Sequence, residues 1–306
     1  MHPEDVLAQP SIRLSEAQRR FYFTNGYLAV EGAISPDCIA RLRAAAEEIV
    51  ERSREVTENG AYVLEEGHCA ETPRLHRLLS PEAHHPAFWD FLASEEMTAL
   101  AADVVGPDVK FHHAKLNFKS GRGSRGFKWH QDIPAWPHTD YSPVTVGIYI
   151  EGCTPDQGPL SMVRGSNNGA LYTQYDHDGN FAVRCRDEDI VWVRDDMIDA
   201  PTGGPGTVVL LHCRTIHGSR SNRSEAPRPL LLAVYSSADS FAYTSAPIDG
   251  PYRGVIVRGK PARYACFDAR PCELPPDWAR EGYAGPWELQ KNAESVDDDK
   301  RRERAV

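Results

Sequence analysis

No stretch of this 306-residue chain is apolar over a membrane-spanning length; the longest apolar runs, such as Val208 to Leu211 and Leu230 to Val234, are strand-sized. Residues 1–10 carry acids and no basic-then-apolar pattern, so neither a signal peptide nor a membrane span is expected. Basic residues are in deficit: 34 Lys and Arg stand against 44 Asp and Glu, a net charge of −10. Such a surface repels phosphate backbones and anionic headgroups, which argues against nucleic acid or membrane as a partner. Cys-x-x-Cys pairs are missing as well. The seven scattered cysteines suggest neither a zinc site nor a disulfide framework, and free thiols suit a reducing cytoplasm.

Apolar residues are not scarce. They make up 41% of the chain and charged residues 25%, enough for a sizeable core. Ser35-Pro36-Asp37 reads as a capping Ser with Pro in the first turn, and Ile39, Leu42, Ala46, Ile49 and Val50 recur at helical spacing, predicting a helix over about 36–53. Further helices are expected from Ser80 through Leu92 and from Ser94 to about Val105, so the first hundred residues read mainly as helix.

The texture then changes to short β-like runs cut by Gly, Pro and Asp: residues 109–119, 127–133, 144–151, 158–164, 190–194, 207–214 and 229–236. That spacing fits a sandwich or barrel. The expected architecture is mainly β with a helical N-terminal layer, a double-stranded β-helix of the jelly-roll, cupin-like kind. The boundaries expected are one domain over 1–290, with helices over about 12–106, the jelly roll over about 107–240 and a C-terminal extension to 290. Residues 291–306 form a charged tail too polar to bury and expected to be disordered.

His130 and Asp132 stand two apart in one predicted strand, where alternate residues share a face. A second imidazole would complete a set of two His and one carboxylate on one side of a metal, leaving the other side open, as in non-haem Fe(II) oxygenases. Three candidates exist. His138 lies close by in a Pro-rich loop, His212 within an apolar run where a wall position is the plain reading, and His217 at a strand end beside Gly218 and Ser219; the last is favoured. Arg228, at the entrance of an apolar strand, suits a bidentate grip on the far carboxylate of a keto diacid, and Ser219 could add a hydroxyl.

Together with Trp129-His130-Gln131-Asp132, the run Gly158 to Ser166, and His217-Gly218-Ser219 followed by Arg228, the chain resembles the phytanoyl-CoA dioxygenase family over roughly residues 18–240. The resemblance implies a jelly roll in which His130, Asp132 and His217 ligate iron while Arg228 and Ser219 hold 2-oxoglutarate, with O2 as oxidant. Asn167 stands where that family commonly has His, at a position that is not a ligand. Related halogenases replace the metal carboxylate by a small residue, so the presence of Asp132 implies hydroxylation or a related oxidation.

Around this set, His113, Lys115 and Asn117 alternate with Ala114, Leu116 and Phe118, and the polar row is expected to face the interior. Asn117 resembles an amide near the co-substrate in small-metabolite hydroxylases of the family; Lys115 and Tyr149 are further co-substrate candidates. Gly121 to Gly126 matches Gly-x-Gly-x-x-Gly, but a strand follows rather than a helix, so a dinucleotide site is rejected in favour of a loop whose Arg122 meets substrate. Phe127, Trp136 and Tyr141 are the aromatic substrate-side candidates. The expected function is Fe(II)- and 2-oxoglutarate-dependent oxidation of a small metabolite, with release of succinate and CO2. The rivals are a jelly-roll metalloenzyme that uses no keto acid, and a silent jelly-roll binding protein.

Overall fold

The structure, a computed structural model, describes residues 1–121, 124–282 and 289–290. Helices α1 (Pro3–Ala8) and α2 (Glu16–Asn25) come first, the second opened by a Ser15/Gln18 capping box and closed by Gly26 in the left-handed region at φ 81°. Helix α3 (Pro36–Arg52) buries Ile39, Leu42, Ala46 and Ile49, the stripe that the spacing predicts. Ser35, however, does not cap it. Its backbone N–H and hydroxyl donate instead to the Glu96 carboxylate at 2.7 and 3.1 Å. The helix expected from Ser80 through Leu92 is two pieces, α4 (Pro81–His84) and α5 (Pro86–Leu92), because a residue before Pro avoids helical backbone and His85 is extended. Helix α6 (Glu95–Val105) follows, capped by Ser94.

The strands are β1 (Tyr27–Val30), β2 (Tyr62–Leu64), β3 (Leu75–Leu79), β4 (Val109–Asn117), β5 (Phe127–His130), β6 (Val144–Tyr149), β7 (Leu160–Val163), β8 (Ile198–Asp199), β9 (Thr207–His212), β10 (His217–Ser219), β11 (Leu230–Ser237) and β12 (Ile256–Arg258). Among the described residues they form an eight-stranded sheet in the order β1-β9-β6-β11-β4-β3-β2, with β12 also on β4, and a four-stranded sheet in the order β5-β10-β7-β8. This is the expected jelly roll. Two readings need correcting. Residues 190–194 are not a strand: Asp187–Ile190 is a 3₁₀ turn, and the small sheet's edge is β8. The first hundred residues are not helix alone, since β1, β2 and β3 extend the large sheet; these runs are too short for their alternation to stand out from a helical stripe.

Alternation along the large sheet divides two interiors. Ala114, Leu116, Val146, Ile148, Val208, Leu210, Leu231 and Ala233 pack with helix residues such as Leu42, Ile49, Phe88 and Leu100. On the opposite face Tyr149, Val209, Leu211, Leu230 and Leu232 meet Leu160 and Met162 of β7 between the sheets. Burying each such side chain contributes about 1.5–3 kcal/mol, and a one-residue slip of β4 would push His113, Lys115 and Asn117 into the helix-facing core. Hydrophobic burial therefore locks the register that aims the polar row inward. Among the described residues no helix is long and apolar enough to cross a membrane.

Candidate metal centre

Strand β10 lies between β5 and β7, and His217 is paired directly with His130 across the β5–β10 ladder. The pairing places the two imidazole centroids 4.1 Å apart. Gly218 makes the close approach possible: a Cβ there would stand 2.8 Å from the Phe127 carbonyl oxygen, so what comes near is the backbone of β5. Asp132 arrives differently from the sequence expectation. β5 stops at His130, and Asp132 has helical backbone at the start of a 3₁₀ turn (Ile133–Ala135), which swings its carboxylate towards the two rings. Its Oδ1 is 3.9 Å from His130 Nε2 and 3.7 Å from His217 Nε2. Among the described residues this is the one group of three such side chains with ligand atoms within 4.8 Å of one another, and all three are buried.

The hydrogen bonds define which atoms are free. His130 Nδ1 donates to the Lys128 carbonyl at 2.8 Å and His217 Nδ1 to the Thr215 carbonyl at 3.0 Å. A carbonyl can only accept, so Nδ1 carries a proton in each ring and Nε2 is the atom turned towards a metal. The Thr145 hydroxyl donates to Asp132 Oδ2 at 2.8 Å, leaving Oδ1. Burial, with His217 next to it, keeps His130 neutral far below the usual imidazole range. Burial alone would raise Asp132, but His217, Lys115, His130 and the Thr145 hydroxyl hold it below the usual carboxylate range. Two imidazoles and one carboxylate with outer partners in place fit a divalent iron. Thr145→Val is expected to weaken Fe(II) binding or turnover by roughly 10–100-fold, the range for loss of an outer partner, read by anaerobic metal titration and by product formation.

His138 and His212 stay outside this set. His138 Nδ1 donates to the Trp136 carbonyl and its ring packs on His112, while His212 lies beside Tyr22 and accepts from the Arg214 N–H.

Arg228 is 2% exposed, yet its Nε and Nη1 have no hydrogen-bond partner. Its guanidinium carbon lies 5.8 Å from the centre of the Tyr149 ring, on the β6 side of the interior. Beside it is a cation that the sequence reading missed: Lys119 Nζ donates to Ser219 Oγ at 2.9 Å, to the Gly158 carbonyl at 3.2 Å and to the Arg220 carbonyl. With all three N–H groups engaged, Lys119 fixes the Ser219 oxygen and leaves that hydroxyl's own proton to donate. Lys119 continues the polar row His113, Lys115, Asn117, which is the signal that could have found it. Arg228 and Lys119 form no ion pair with any described carboxylate. Orphaned buried guanidinium atoms beside a second cation fit the far carboxylate of a keto diacid. Between Tyr149 and Thr145 on β6 stands Gly147, where a Cβ would crowd Leu232 at 3.2 Å and Leu160 at 3.4 Å.

In the ligand-free protein burial, with Arg228 close by, pushes Lys119 from 10.5 down to about 6, so the charged form with its three acceptors is the one that an anion seated beside Arg228 would favour. Between those values the unfolded chain binds a proton that the folded protein has released, so stability rises with pH across that window, at most about 1.4 kcal/mol per pH unit. Melting temperatures of the ligand-free protein from pH 6.5 to 9.5 are expected to climb, and Lys119→Met to flatten the climb.

The remaining candidates are dispersed. Asn117 Oδ1 accepts from Arg77 Nε at 2.8 Å, and Arg77, on β3, is a second cation the sequence reading missed because that segment was taken as helix. Phe127 stacks on His76 at 5.7 Å and lies under Arg77. Trp136 is buried against His112 and His113. Tyr141 donates to the Arg270 and Pro271 carbonyls and packs under Arg214 and Arg270, a set of neighbours apart from the three ligands. Arg122 and the tail 291–306 lie outside the described residues.

The model of the family described as phytanoyl-CoA dioxygenase matches residues 22–230, more than half of the chain. The chain belongs to that family. It is a non-haem, iron- and 2-oxoglutarate-dependent dioxygenase, and the His130–Asp132–His217 group is its candidate iron site. Similar relatives of this phytanoyl-CoA dioxygenase family member include a probable alpha-ketoglutarate-dependent hypophosphite dioxygenase of Stutzerimonas stutzeri, 28% identical over 84% of this chain and 91% of the relative. An ectoine dioxygenase of Sphingopyxis alaskensis is 26% identical over 81% and 85% of the two chains. A crystal structure of EctD from S. alaskensis with 2-oxoglutarate and 5-hydroxyectoine shares the fold with a TM-score of 0.62 at 23% identity, covering 84% of this chain and 89% of that one.

Proposed function

We propose that this family member hydroxylates, or otherwise oxidises, a C–H bond of a small metabolite while 2-oxoglutarate is converted to succinate and CO2. The observation that carries the reading is the pairing of the three ligands with a buried, partly unsatisfied Arg228 behind Tyr149. Relatives named for hypophosphite and ectoine, both small and polar, support a small-molecule substrate. Bound iron supplies the activation of dioxygen; what the chain supplies is ligands, orientation and dryness.

The Arg228 guanidinium takes the far carboxylate of the co-substrate bidentately and Ser219, braced by Lys119, adds its hydroxyl. Tyr149, whose own oxygen accepts from the Leu160 N–H at 2.9 Å, stands as a rigid ring under Arg228. Asn117 completes the polar end from β4. Thr145 keeps Asp132 turned so that Oδ1 faces the imidazoles, and Leu160, Met162, Leu230 and Leu232 exclude water from the space between the sheets. No side chain need move a proton as a general base. We place the catalytic unit over about residues 1–290, and the seven free cysteines suit a cytoplasmic setting.

Succinate release is the test. Purified protein is expected to form succinate only when Fe(II), 2-oxoglutarate and O2 are all present, and faster with the right metabolite. Metal-dependent turnover indifferent to 2-oxoglutarate would favour a different jelly-roll metalloenzyme. Failure to take up Fe(II) anaerobically would favour a silent binding protein.

A further inference from the structure

The far end of the co-substrate assigned above lies where Arg228, on the extension of β11, and Lys119, on the extension of β4, meet beside Tyr149. Lys115 stands two inward positions back along that same β4 row, past Asn117, and its register runs Lys115↔Leu232↔Gly147 across β4, β11 and β6. Thr145 pairs with Val234 and Val234 with His113, which puts His113 at the level of the metal ligands and Lys115 one inward position along.

Burial lowers the Lys115 ammonium from 10.5 to about 8, while Asp132 favours its charge and Arg77 opposes it. Yet among the described residues its ammonium makes no hydrogen bond and no ion pair. Three more deeply buried basic side chains have partners: Lys119 has three acceptors, Arg19 takes the carbonyls of Asp103, Gln9 and Val6, and Arg214 those of Asn167 and Gly169, whereas Arg228, like the half-buried Lys115, is not fully partnered. Arg77 adds a second positive charge to the same wall, with its Nε on Asn117 Oδ1, and His113 and His76 nearby are kept neutral by burial. The far carboxylate of the co-substrate, seated on Arg228 at the Lys119 end of the row, is two inward positions from Lys115.

We propose that Lys115 is the specificity-determining anchor for an anionic group, a carboxylate or a phosphorus oxyanion, on the primary substrate, with Arg77 reinforcing the field. The sequence expectation placed Lys115 with the co-substrate; we assign it to the primary substrate instead, and the experiment below separates the two roles. This rests on the oxygenase reading above. The substrate is an acid that enters along β4 and β3, leaves its charge on Lys115 and presents its oxidisable bond to the metal. A neutral analogue would leave the ammonium unpaired, so discrimination between an acid and its uncharged isostere follows directly.

The experiment uses the full chain loaded anaerobically with Fe(II) and 2-oxoglutarate, whose binding is seen as a charge-transfer absorption band. Small carboxylates and alkylphosphonates are then offered beside their primary amides and dialkyl esters, and succinate release is followed after oxygen is admitted. Acids of one of these two classes are expected to stimulate release, and which class responds identifies the oxyanion; the neutral partners are not. Lys115→Met is expected to lower kcat/KM for the responding acid about tenfold or more while the charge-transfer band still titrates with 2-oxoglutarate, and Lys115→Arg to recover part of the loss. If no acid outperforms its neutral isostere, or if Lys115→Met leaves the preference for acid intact, the proposal is overturned. If Lys115→Met instead abolishes the charge-transfer band, Lys115 belongs to the co-substrate and the proposal is equally wrong. Absence of both the band and succinate in the unaltered protein would sink the oxygenase reading itself, a result distinct from either.

Discussion

Replacing Asp132 by Ala is expected to abolish oxidation, lowering succinate formation by at least ~1000-fold, because an anionic ligand is removed from a metal that two neutral imidazoles hold poorly. The imidazoles themselves stay in place. His130 and His217 are positioned by the β5–β10 ladder and by the Lys128 and Thr215 carbonyls, none of which depends on the carboxylate. The variant should therefore keep the far-ultraviolet circular dichroism of the unaltered protein and fail in anaerobic Fe(II) titration. An Asp132→Ala protein that still turned over 2-oxoglutarate at the original rate would show that these three side chains are not the iron site. Asp132→Asn is the sharper companion. It preserves size but removes the charge, so retained activity there would mean that geometry alone holds the metal.

The second large effect concerns Arg228. Arg228→Met should raise KM for 2-oxoglutarate by roughly 10–100-fold, the loss of a charged, two-pronged hydrogen bond worth about 1.5–3 kcal/mol, while leaving Fe(II) affinity unchanged. Arg228→Lys should recover little, since an ammonium cannot reproduce the planar fork. A stability change of the opposite sign should accompany the loss. In the ligand-free protein Arg228 Nε and Nη1 are buried without partners, so replacing the guanidinium with an apolar chain of similar length should stabilise the apoprotein by about 1–3 kcal/mol. Thermal melts with and without 2-oxoglutarate separate the two effects: the apo melting temperature rises and the shift on adding co-substrate disappears. Arg228→Met with unaltered KM would remove the co-substrate anchor from the account.

Parts of this arrangement were legible before any coordinates. Helix α3 and the inward row of β4 announce themselves through periodicity, because burial selects residue type at every third or fourth position in the one and every second position in the other. His217 could be preferred to His212 because a strand end beside Gly permits close approach. It does so for a reason the sequence did not disclose, the packing of Gly218 against the β5 backbone. The short strands β1, β2, β3 and β8 were invisible or misplaced: a few residues of alternation carry too little signal, and their stability comes from partners far along the chain. Arg77 was missed for the same reason; Thr145 and Lys119 lie in segments that did read as strands, and their roles come from contacts to Asp132 and Ser219 made across the fold.

The amino-acid sequence by itself determined the chemistry on offer: two imidazoles, a carboxylate and a guanidinium, in motifs specific enough to name a reaction class. Only the tertiary structure decided which atoms of those groups are free, that Asp132 comes from a turn rather than a strand, and that Lys119 meets Arg228 and Ser219. The physical reason is that residue identity sets what a side chain can bind, whereas cross-strand register, fixed by burial of apolar faces with no part in catalysis, sets what it meets.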